Sequence, residues 1–145
     1  MLLGHLALVV AALFAGAAFY VNFAEQPARL ATDDRAALRQ WQRSYERAAL
    51  MQASLALVGF LLGLAAWWWG GRDLRLLAGA VVIVLAWPYT LLVIKPVNDR
   101  LNATMPERAG AESRALIERW GRLHAGRTAL GVLATVIFFW AMIAV

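Results

Sequence analysis

Four long apolar runs set the frame of this chain. They cover residues 2–24, 48–69, 74–94 and 125–145, and the first carries only His5 and Asn22 as strongly polar members. Each run matches the roughly 20 residues a helix needs to cross a hydrocarbon core of about 30 Å. Between them lie a polar stretch over 25–47, a tight turn at Gly70, Gly71, Arg72 and Asp73, and a second polar stretch over 95–124. Spans that alternate in direction put both long connections on one side. The pattern therefore predicts an all-α chain, a single integral membrane domain over residues 1–145 folded as a transmembrane four-helix bundle.

The long connections do not read as loose loops. Thr32, Asp33 and Asp34 offer an N-cap and acidic first-turn residues, and neither Pro nor Gly interrupts the chain from there to Val58. The second span is expected to begin outside the bilayer and run into it unbroken. Pro106 and Gly110 punctuate the second stretch, after which the chain is again helical and can continue into the fourth span. Helices 2 and 4 would each have about 35 residues, or about 50 Å, and stand some 20 Å proud of the membrane core as cytoplasmic stalks. A weak repeat links the two halves. Tyr20 precedes Pro27 by seven positions, as Tyr89 precedes Pro96, and each Pro is expected to end its membrane helix. Trp41 with Arg43 and Tyr45 parallels Trp120 with Arg122 and His124. A parallel repeat of two helical hairpins would turn two half-sites toward each other at the stalk end.

Composition narrows the class. With 62% hydrophobic and 16% charged residues, the chain has too little polar surface for an ordinary soluble domain. The absence of cysteine excludes disulfides, thiol catalysis and thiolate metal sites. A net charge of +5 would suggest nucleic acid in a soluble protein, but twelve of the 14 Lys and Arg residues fall in or beside the two long connections. Only Arg72 and Arg75 lie on the other side. By the positive-inside rule the connections face the cytoplasm and the termini face outward, in the cell's inner membrane. The basic excess is then orientation, with the lipid bilayer as partner and no nucleic acid. No basic residue precedes the first run, so we expect a retained span rather than a cleaved leader.

Candidate chemistry collects at one depth. Tyr20, Asn22 and Glu25 stand where the first run ends; Tyr89, Lys95 and Asn98 stand where the third does. Trp41, Tyr45 and Gln52 share a face of the second helix, and Trp120, His124 and Arg127 share a face of the fourth. Interfacial belts account for Trp67, Trp68 and Trp69, and a solvated basic face accounts for Arg35, Arg39 and Arg43. Neither accounts for Asn22, Gln52, His124 or Arg127, because a polar group in the apolar part of a helix is costly unless it meets a partner or a wet cavity. We expect a polar pocket there. His5 would lie about 30 Å from His124 along the membrane normal, too far for both to ligate one haem. The cluster is poor in metal ligands, so no metal is expected. Phosphate-binding loops and Ser-His-Asp signatures are absent.

On these residues the chain resembles the anthrone-oxygenase-like family of small four-helix membrane proteins. The resemblance rests on the four-span layout and on Phe19, Tyr20, Val21 and Asn22 with Glu25, Gln26 and Pro27. It includes Lys95 through Asn98, and Trp120 with Leu123, His124 and Arg127. It implies oxidation of anthrones to anthraquinones in fungal members, with bacterial relatives free to differ. An anthrone anion can itself reduce oxygen, so no cofactor is required. The protein would supply a base, donors for the oxyanion and a flat apolar slot. His124 is the first candidate base and Glu25 the alternative. Arg127, Lys95 and Asn98 are candidates for the oxyanion, Asn22 and Tyr20 for orienting a hydrophobic aromatic substrate, and Trp41, Tyr45 and Trp120 for stacking on its rings. Gln52 and Tyr89 complete the candidate binding set. Two other readings use the same residues: a non-catalytic membrane subunit or lipid- or quinone-binding protein and, ranked last, a small transporter.

Overall fold

A computed structural model describes residues 1–143 and consists of four long helices: α1 (Leu2–Leu30), α2 (Asp34–Trp69), α3 (Leu74–Ala103) and α4 (Ala111–Ile143). All four are long and apolar enough to cross a membrane. The expected end of the last span, at Val145, lies outside the described residues. Adjacent pairs α1–α2, α2–α3, α3–α4 and α4–α1 pack closely and close a square bundle. Both long helices are unbroken, α2 with 36 residues and α4 with 33. Asp33 caps α2 as its sequence position suggests, its carboxylate accepting from Ala36 N at 2.9 Å. Gly71 and Arg72 take positive φ in the turn before α3, where the Arg75 side chain and backbone hydrogen-bond the capping Asp73 and hold its carboxyl below the usual range.

The prolines correct the expected helix ends. Pro27 and Pro96 do not stop their helices: α1 continues to Leu30 and α3 to Ala103. A proline within a helix donates no hydrogen bond and its ring collides with the carbonyl four residues earlier. Here each collision is absorbed by one π-helical turn just upstream, Val21–Glu25 in α1 and Thr90–Ile94 in α3. The Gln26 N–H reaches back to Val21 O, and the Lys95 N–H to Thr90 O. The two turns stand in equivalent places, directly after Tyr20 and Tyr89.

At the turn end the bundle is held by small residues that let backbones approach. Phe138 of α4 sits in a notch formed by Gly63 and Gly79, and Phe14 of α1 packs on Gly131. A Cβ added at Gly79 would come within 2.8 Å of the Phe138 ring. Outside, Val9, Leu13, Leu61, Val136, Phe139 and Trp140 stay exposed, an apolar perimeter suited to lipid. The stalk ends are tied by polar bonds. Arg114 donates to Leu30 O and Thr32 O and pairs with Asp34, and Gln42 donates to Leu101 O and Thr104 O.

Overpacking a notch of this kind costs about 1–3 kcal/mol. Gly79→Val should lower the unfolding free energy by about that much in detergent titrations, whereas Gly16→Ala, which meets nothing within 4 Å, should leave it unchanged or slightly raised.

Candidate functional site

Each π turn changes which side chains face inward. On α1 the inward row is Val21, Glu25 and Arg29; on α3 it includes Ile94 and Asn98. Opposite them, α2 presents Trp41, Tyr45 and Gln52, and α4 presents Trp120, His124 and Arg127. The four rows enclose a polar cavity at the stalk end. Trp41 stacks on Tyr45 with centroids 4.8 Å apart, Trp120 lies 4.8 Å from the His124 ring, and the two indoles meet edge to face at 5.8 Å. This contact joins the α2 and α4 rows, and such pairs contribute about 0.5–1.5 kcal/mol beyond their burial.

Asn22 sets the state of His124. The Asn22 amide nitrogen donates to Gly121 O at 2.8 Å, and a backbone carbonyl can only accept, so the amide orientation is determined. Asn22 Oδ1 is then the acceptor for Thr128 Oγ1 at 2.8 Å and for His124 Nδ1 at 2.9 Å. A neutral His124 must carry its proton on Nδ1. Its Nε2 lone pair is left free, with no hydrogen-bond partner among the described residues.

Two arginines behave very differently here. Arg29, 3% exposed, is fully engaged: it pairs with Glu25 and hydrogen-bonds Gln26, Gln40 and Ser44, while its guanidinium lies 5.5 Å from the Trp120 ring centre. Arg127, 8% exposed, makes no hydrogen bond or ion pair with any described residue. It contacts the Phe14 ring, 5.6 Å from its centre. Around the cavity, Trp41 Nε1, both amide atoms of Gln52, Asn98 Oδ1, Trp120 Nε1 and Arg127 Nε are buried without partners. Buried polar atoms ordinarily find partners, and these six belong to residues that line one cavity. The space open to the centre of a water molecule is about 20 Å³, enough for one water. One water offers two donors and two acceptors, fewer than the unpartnered atoms need.

Of the residues singled out in the sequence, Glu25, Trp41, Tyr45, Gln52, Asn98, Trp120, His124 and Arg127 line this cavity. Asn22 stands behind His124. Tyr89 is a prop: its hydroxyl donates to Leu123 O at 2.6 Å, over Gly126, where any side chain would overlap its ring. Tyr20 and Lys95 are not brought to the cavity. Tyr20 precedes the π turn on the outer side and is 61% exposed, and Lys95 is turned outward to an ion pair with Asp99 at 2.7 Å. Arg29 and Ser44 were not among the sequence candidates. Arg29 stands with Glu25 at the end of the first run, and its i, i+4 spacing from that carboxylate was a usable signal. Among the described residues no three His, Asp or Glu side chains gather as metal ligands, and His5 bonds Met1 O at the far end.

Removing one member of a buried ion pair costs about 3–5 kcal/mol. Arg29→Ala should approach that loss in an unfolding titration, while Arg35→Ala, whose partner Glu107 is half exposed, should cost less than about 1 kcal/mol.

A family model described as anthrone oxygenase matches residues 41–137. The match includes Trp41, Gln52, Asn98, Trp120, His124 and Arg127, and leaves Asn22, Glu25 and Arg29 outside it. No curated protein and no solved structure matches.

Proposed function

The chain belongs to the anthrone oxygenase family, and from that premise we propose that it is a cofactor-independent oxygenase acting on enolisable polycyclic aromatic ketones. The observation that carries the reading is the pairing of an unoccupied imidazole lone pair, His124 Nε2, with an unpaired guanidinium, Arg127, on one buried cavity. Glu25, the alternative base, has Oε1 engaged by Arg29 and Gln40. We place the bundle in the inner membrane, its two long connections in the cytoplasm and its termini outside.

The chemistry proceeds in balanced steps. His124 Nε2 takes a proton from the methylene carbon opposite the ketone, and the electron pair moves into the ring system to give an oxyanion. Arg127, with the indole N–H groups and the Gln52 amide, stabilises that oxyanion. The anion gives one electron to molecular oxygen, and the radical pair collapses to a carbon–peroxide bond. The peroxide takes the proton back from the imidazolium. Loss of the second methylene hydrogen as a proton, with cleavage of the O–O bond, forms the new carbonyl. The balance is anthrone plus O₂ to anthraquinone plus water, with all four electrons supplied by the substrate.

Oxygen uptake above the spontaneous rate tests this with anthrone and protein in lipid nanodiscs. His124→Gln should lower kcat by about 10²–10⁴-fold, the usual contribution of a positioned base. Arg127→Gln should lower kcat/KM, because it removes a cation facing the developing charge. Full uptake by both the His124 and the Glu25→Gln variants would contradict the assignment. Tight binding of quinones without uptake would favour the non-catalytic binding protein.

A further inference from the structure

A cavity with room for one water does not hold a three-ring substrate, yet one of its walls is shared. A second, apolar hollow of about 180 Å³ lies between α2 and α3, and Ala49 and Arg127 line both spaces. Its other walls include Ala53, Ala86, Trp87 and Leu91. Trp87 and Leu91 are 41% and 57% exposed on the apolar perimeter, so the hollow opens sideways, toward lipid, rather than toward water at the stalk end. Three alanines leave a slot without protruding side chains. Across it the Trp87 indole N–H donates to Ala53 O at 3.1 Å, joining α3 to α2. Beside it α3 carries Pro88 and the π turn Thr90–Ile94.

We propose that this hollow is the ring-binding subsite and lateral portal for a flat, membrane-dissolved aromatic ketone, with Arg127 as the threshold between ring body and reacting edge. The inference rests on the oxygenase reading for what happens at His124, but the portal stands or falls by binding. The occupant is amphipathic in a specific way. An apolar polycyclic body matches the alanine slot, and one oxygen-bearing edge that is or becomes anionic matches a buried guanidinium with no counter-ion. A small hydrophilic anion would have no use for an apolar slot open to lipid. Trp87 spans the slot by a single side-chain hydrogen bond to the Ala53 carbonyl, added to that carbonyl's place in the α2 ladder, so its loss leaves the backbone bonds of both helices in place. Its indole can swing without breaking either helix.

The test uses the full chain in nanodiscs and 1,8-dihydroxyanthraquinone, a flat ligand that is not turned over, followed by tryptophan quenching and visible absorbance. Ala53→Phe and Ala86→Phe fill the slot and should each weaken binding at least tenfold; Ala53→Val should weaken it by less. Ala65→Phe, on the perimeter at the other end, should bind as the parent does. Trp87→Phe keeps the ring but loses the N–H, and should speed both association and dissociation severalfold. With anthrone, the filled variants should raise KM far more than they lower kcat. Unchanged affinity in both filled variants, or no binding by the parent chain, overturns the portal. Loss of turnover in His124→Gln alongside unchanged binding in Ala53→Phe would sink the portal and leave the oxygenase standing. The converse pattern, portal-dependent binding with no oxygen uptake, would do the reverse.

Discussion

Pro27 and Pro96 cannot complete the helical hydrogen-bond ladder, and the arrangement of the stalk end follows from that constraint. In each case the chain keeps its helix by inserting one wide turn. The wide turn rephases the inward face, so that Val21, Glu25 and Arg29 on α1, and Ile94 and Asn98 on α3, point to one cavity. A plain α-helix through the same residues would present a different row. The turn end needs no such device. There glycine notches receive Phe14 and Phe138, and the buried core is apolar.

The cavity illustrates how an apolar bundle holds reactive groups. Arg29 is satisfied from four sides and acts as a strut. Arg127 is left unsatisfied, as are Gln52 and two indoles. Unpaired buried polarity is a stability cost, and among the described residues it is concentrated on this one cavity. Asn22 links the two functions. By donating to Gly121 O it fixes its own amide, and through that the tautomer of His124.

Much of this was legible in the sequence because long helices obey simple periodicities. Trp41, Tyr45 and Gln52, and Trp120, His124 and Arg127, were placed on common faces by counting, and the structure brings them together. Thr32, Asp33 and Asp34 announced a cap, and Asp33 is the one that fills it. Counting failed where the helix is irregular. Tyr20 and Lys95 border the π turns, so their direction does not follow from a period of 3.6 residues, and both face outward. Arg29 looked like one more orienting charge, since only the fold reveals that it is buried. The hollow beside Trp87 left no pattern in the sequence, for it is an absence of side chains made by three alanines on two helices.

The proposed chemistry depends on a free lone pair at His124 Nε2. Nitrogen-15 NMR of imidazole-labelled protein in lipid reads it directly, because the chain has only 2 histidines and a His5 substitution assigns them. The expected result is a neutral His124 ring with a protonated Nδ1 and a bare Nε2, and a shift at Nε2 when 1,8-dihydroxyanthraquinone binds. A proton resident on Nε2 with Nδ1 bare, or an Nε2 signal indifferent to the ligand, would contradict it.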